Sequence, residues 1–161
     1  MAGVSTAAPY RHFADRQALI EALCERAFDL FGERIETARD RQAAGSVEPI
    51  VAMGQAYVAF VTEDRELFEL MWGRELPEAA AQSGGPQARA FVALLEAIDA
   101  HRARRGLEVD TLEVSVPLWA FVHGTTSLVL GGALGRKLPG VDVDAMIAQT
   151  TRTFLAGFGR P

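Results

Sequence analysis

The chain is poor in cysteine, carries no excess of positive charge and shows almost no strand signature. Each absence removes a class of protein. Cys24 is the single cysteine among 161 residues, so no intrachain disulfide can form. That usage fits a reducing compartment, most simply the cytoplasm. The formal net charge of −5 argues against non-specific nucleic-acid binding by the body of the protein, while leaving room for a small local surface. Met1 is followed by AGVSTAAPYRH, with no basic-then-apolar run, so no secretory signal is expected.

The chemistry of catalysis is missing as well. The histidines His12, His101 and His123 are dispersed and lack metal-ligand spacing. There is no G-x-S-x-G elbow and no phosphate-cradling glycine loop. Catalytic residues, a metal and a cofactor are therefore not expected, and the chain is not read as an enzyme. Between Val114 and Gly135 there is no Asp, Glu, Lys or Arg, a run long enough to span a bilayer. It holds Ser115, Pro117, His123, Thr125, Thr126, Ser127 and several glycines, and no aromatic belt or basic flank frames it. A helix buried on nearly all sides, within the protein or against a second copy, is expected instead of a membrane span.

What remains is rich in helix. Apolar residues make up 49% and charged residues 23%, a globular composition. Apolar steps of three and four recur along the chain, broken by Gly and Pro. Ser5 or Thr6 can cap a short helix to about His12, with Pro9 in its first turn. Asp15 can cap a long helix to about Gln42, striped by Leu19, Ile20, Leu23, Cys24, Phe28, Phe31 and Ile35. After the break at Gly45 and Ser46, Pro49 opens an apolar helix over 50–61, and a short helix follows over 65–72. The small residues of 73–87 predict a mobile loop. Helices are then expected over about 86–105, stopping at Gly106, over about 111–134, and from a cap at Asp142 or Asp144 to about Phe158. The fold expected is all-α.

The opening stretch, AGVSTAAPYRHFADRQALIEAL, packs turn, cap, aromatic pair, cap and amphipathic run into some twenty residues. Gly3 suits a tight inter-helix turn. Thr6, Tyr10 and Arg11 cluster on the short helix where a phosphate or base edge can meet them, and Arg16 follows in the first turn of the next helix; with Ser5 and His12 they are the candidate DNA-binding residues. Taken as residues alone, the stretch fits equally an ordinary helix corner with a polar surface.

The same stretch resembles the end of the DNA-binding domain of the TetR/AcrR family of bacterial regulators. The Ala2 to Ser5 turn, Tyr10 to Phe13 and the Asp15-Arg16 step agree with that family in order, spacing and type. The resemblance implies that Thr6 sits at the groove end of a recognition helix. It implies that Tyr10, His12 and Arg16 contact the DNA backbone and that Phe13 packs inside. Downstream, LWAFVHGTTSLVL resembles the WHG type of TetR-family C-terminal domain, with Trp119, His123 and Gly124 carrying the signature. The two helices that precede the recognition helix in the family are not seen before Met1. A recognition helix of about eight residues is marginal alone. An N-terminally truncated form is therefore expected.

Two regions are expected: 1–42, a partial helix-turn-helix with its linking helix, and 46–161, a ligand-binding and dimerisation domain. Met53, Tyr57 and Phe60 share one helical face, and Trp119, His123 and Thr126 another. With Trp72 they are the candidates for lining an effector pocket, although such stripes are more often plain core. By resemblance the last two helices, about 111–134 and 142–158, form a homodimer interface. Gly131 and Gly135, four apart, are expected to let helix backbones approach. The function expected is a ligand-responsive DNA-binding regulator, a repressor released from operator DNA by a small, mostly apolar effector. The alternative is a dimeric small-molecule-binding helical protein that does not bind DNA.

Overall fold

The computed structural model describes residues 13–72 and 86–158. Among them the chain is helical throughout, with no strand. Helix α1 spans Arg16–Asp40. Asp15 stands before it in extended conformation and accepts a hydrogen bond from the Ala18 amide at 2.8 Å, which satisfies one of the donors left open at a helix start. The buried positions of α1, from Ile20 through Cys24, Phe28 and Phe31 to Ile35, repeat every three or four residues and form one core-facing stripe.

Gly45, at a φ of 74°, turns the chain into α2, Glu48–Glu63. Pro49 sits in the first turn of α2, where its missing N–H costs nothing. This helix is buried on most sides and forms the centre of the molecule, packing against α1, α4, α5 and α7. Helix α3, Arg65–Trp72, follows directly. Helix α4, Pro86–Arg105, ends on Arg102, Arg104 and Arg105, cations that suit the negative end of its dipole. Gly106, at a φ of 63°, then stops it. Asp110 caps α5, Thr111–Leu130, through the Leu112 amide at 2.7 Å. A five-residue α6, Ala133–Lys137, leads to α7, Val143–Gly157, which Asp142 caps through the Ala145 amide at 2.9 Å.

Two expectations need correction. The helix expected over 111–134 ends at Leu130. Gly131 caps it, and Gly132 takes a left-handed conformation with a φ of 64° that no helix can continue through. Gly131 and Gly135 consequently fall on two different elements, and they do not form a small-residue stripe on one helix. The glycine that looked like a packing residue is a stop. The loop expected over 73–87 lies outside the described residues except for Pro86 and Gln87, with which α4 begins. The charge-free stretch contains no membrane span: among the described residues no helix is long and apolar enough to cross a bilayer.

Candidate ligand cavity

A cavity of about 80 Å³ lies where six helices meet. Phe31 and Ile35 reach it from α1, and Ile50, Met53, Gly54 and Tyr57 from α2. Trp72 closes the α3 side, while Ala90, Phe91 and Leu94 line the α4 wall. Leu118, Trp119 and Val122 come from α5, and Thr151 from α7. Gly54 explains how the helices come so close. A Cβ there would meet Ile147 at 2.9 Å and Val122 at 3.4 Å, so α2 lies against α7 and α5 only because position 54 has no side chain.

Five aromatic side chains stand on the wall, and Phe31 meets two of them edge to face. Phe31 meets Tyr57 with centroids 4.9 Å apart and an interplanar angle of 88°, and meets Trp72 at 5.7 Å and 88°. Such contacts add about 0.5–1.5 kcal/mol beyond the area they bury. His123 sits among these rings, 5.6 Å from Phe68, 5.7 Å from Trp72 and 5.8 Å from Trp119. Its Nδ1 shares a hydrogen bond with the Tyr57 hydroxyl at 2.8 Å. Burial among apolar neighbours pushes the His123 pKa below its ordinary 6.5 and raises that of the Tyr57 phenol. Both groups are therefore uncharged at neutral pH, and the pair is a neutral hydrogen bond behind the cavity wall.

Among the described residues no charged side chain lines the cavity. Two wider grooves flank α1, but they are open. One is edged by Glu33, Arg34 and Arg41, the other by Arg39, Asp40 and Glu96. Of these three spaces the central cavity combines the most enclosure with an apolar wall and a few polar atoms, the usual build of a small-molecule site. Its described wall suits an uncharged ligand, because none of those residues offers a counter-charge.

Of the residues expected from sequence to bind ligand, Met53, Tyr57, Trp72 and Trp119 lie on the cavity wall. His123 stands behind Tyr57 and is not on the wall. Phe60 is packed in the core, 5.2 Å from Phe31. Thr126 is fully buried with its hydroxyl donated to the Val122 carbonyl at 2.8 Å, so it has nothing to offer a ligand. Sequence reasoning missed Phe31 and Ile35, which looked like the plain stripe of a linking helix, and it missed Phe91 and Thr151. Of the residues expected to bind DNA, Ser5, Thr6, Tyr10, Arg11 and His12 lie outside the described residues. Arg16 is exposed as the first residue of α1. Cys24 is buried, with its thiol donated toward the Leu70 carbonyl at 3.6 Å. Burial and the nearby Glu21 raise its pKa, which disfavours the thiolate.

A family model described as the tetracyclin repressor-like C-terminal domain matches residues 50–154. No curated protein matches the chain. Among solved structures, one described as a protein with unknown function from Rhodococcus sp. RHA1 superposes with a TM-score of 0.82. It is 31% identical in sequence, and the alignment covers 99% of this chain and 81% of that one.

Proposed function

The chain belongs to the tetracycline-repressor-like family, and from that premise we propose that it is a ligand-responsive transcriptional regulator, a repressor, whose effector occupies the central cavity. The observation that carries this reading is the make-up of the cavity wall: α1, the helix that leads back toward the N-terminal segment, contributes Phe31 and Ile35 to it. A ligand entering the space displaces α1 relative to α2 and α4. In a dimer that changes the separation of two DNA-reading ends, which must match half-sites about one helical turn apart. The coupling is a difference in effector affinity between two arrangements of α1.

The DNA contacts belong to Ser5, Thr6, Tyr10, Arg11, His12 and Arg16, and the C-terminal region is of the WHG type, carried by Trp119, His123 and Gly124. The dimer forms through α5 and α7. Support for that comes from α5, which leaves Leu112, Val116, Trp119 and Leu128 between 41% and 52% exposed, with no charged residue from Val114 onward. An isologous interface needs such a face. The protein acts in the cytoplasm, as its lone buried cysteine suits.

The test is a fluorescence-anisotropy titration onto DNA flanking its own coding sequence, across a salt series. It is run on this chain and on a form extended upstream to the next in-frame start. A regulator shows tight binding whose affinity falls steeply with salt as phosphate contacts release counterions. If neither form binds, the reading gives way to a dimeric ligand-binding protein that has no DNA function.

A further inference from the structure

Buried hydroxyls in this protein turn back onto their own helices. Ser115 donates to the Thr111 carbonyl at 2.7 Å and Thr126 to the Val122 carbonyl at 2.8 Å, and both residues are 0% exposed. This is the common resting place of a helical Ser or Thr. Thr151 does not follow it. It is 1% exposed, it lines the cavity from α7, and its hydroxyl meets no hydrogen-bonding partner among the described residues. Thr125 also lacks a partner but is not on the cavity wall. Among the described residues the polar side-chain atoms sealed in protein without a partner belong to His101 and Arg102, so the Thr151 hydroxyl is not walled in by packing. The space that Thr151 lines is the cavity.

The rest of the wall sharpens the point. Phe31, Ile35, Ile50 and Leu94 bring no polar side-chain atom, and the Tyr57 hydroxyl is engaged by His123. The indoles of Trp72 and Trp119 add N–H groups that can only donate, which leaves Thr151, among the described residues, as the one uncommitted hydroxyl on the wall and its one uncommitted side-chain group able both to donate and to accept. A hydroxyl both donates and accepts, so it pairs with an alcohol, a ketone, an ester or an ether oxygen.

Resting on the reading of this cavity as the effector site, we propose that Thr151 is its polar anchor and sets the ligand class. The effector is an uncharged molecule, apolar over most of its surface, with one oxygen that hydrogen-bonds the Thr151 hydroxyl. Because Thr151 belongs to α7 while Phe31 and Ile35 belong to α1, a ligand anchored at one end bears on the moving helix with its other end.

Phenol and toluene test this, since they differ by a hydroxyl in place of a methyl, and Thr151→Val makes the same exchange in the protein. Affinities of both probes are measured by NMR titration on the full chain, for the wild type, Thr151→Val and Thr151→Ser. The anchor predicts that Thr151→Val weakens phenol about tenfold, the worth of one hydrogen bond, leaves toluene unchanged or tighter, and that Thr151→Ser keeps phenol binding. If Thr151→Val changes both probes equally, or neither, the anchor is overturned while the cavity stands as a ligand site. If neither probe binds the wild type, the effector-site reading falls and takes the anchor with it.

Discussion

Helices α1 and α5 both lend residues to the cavity, yet their outward faces differ in kind. The outside of α1 is charged and already engaged. Arg34 grips Glu63 of α2 through two nitrogens, at 2.5 and 2.8 Å. Arg89 of α4 does the same to Glu36, and Arg39 reaches Glu96 of α4 at 2.6 Å. The outside of α5 is uncharged beyond Glu113, and among the described residues Leu112, Val116 and Trp119 stay 41% to 52% exposed. On the proposed mechanism, the helix that moves is held at its surface by exchangeable polar contacts, and the helix that stays presents an apolar face that a second copy can bury.

The comparison is broken most severely at the cavity side of α1. Phe31 is 3% exposed and meets Tyr57, Phe60 and Trp72, so Phe31→Ala removes both burial and ring contacts. It is expected to cost about 3–5 kcal/mol in urea unfolding. The apolar face of α5 is tested by Val116→Glu. A charge there leaves the monomer intact but is buried in the proposed dimer. Sedimentation is expected to show the dimer dissociation constant raised at least about a hundredfold, roughly 2.7 kcal/mol. If the oligomeric state does not change, α5 is not the interface.

A smaller effect follows pH. The folded pKa of His123 is depressed below the ordinary 6.5, so on acidification the unfolded chain takes up a proton there before the folded protein does. Stability falls as pH drops through that window and is fully present above it. His123→Gln, which can still accept from Tyr57 but does not titrate, flattens this part of the decline in thermal melts. The smallest effect belongs to the outer clamps. Arg89→Gln severs the link to Glu36, whose carboxyl Arg89 holds below the ordinary carboxylate range. Because the pair faces solvent, the change in stability is the smallest of these and shrinks further in salt.

Much of the fold was legible in the sequence because helix ends are written locally. Asp15, Pro49, Gly106 and Asp142 each mark a boundary through their own backbone chemistry, and the structure places helix starts and stops at or beside them. The helix end at Gly131 and Gly132 was missed because glycine serves two purposes, close approach and left-handed turning, and only the backbone angle separates them. The cavity was less legible than the helices. A stripe of apolar residues shows which side of a helix faces inward, but not where six inward faces fail to meet. Met53, Tyr57 and Phe60 share one face by spacing, yet two line the space and one fills the core. Thr126 and Thr151 are indistinguishable as letters. They part only because one hydroxyl finds its own helix carbonyl and the other does not.

The chain contains two tryptophans, and both indoles stand on the cavity wall. The protein thus carries its own optical probe at the one place where an effector is proposed to arrive, and nowhere else. Indole emission shifts with the polarity of its surroundings, and Trp119, 41% exposed, begins in a wetter setting than Trp72. An occupant that dries the space changes the colour of the light without any dye, label or engineered residue. Trp119 also answers to whatever covers the outer face of α5, so the share of that light that comes from Trp72 is the report from this site.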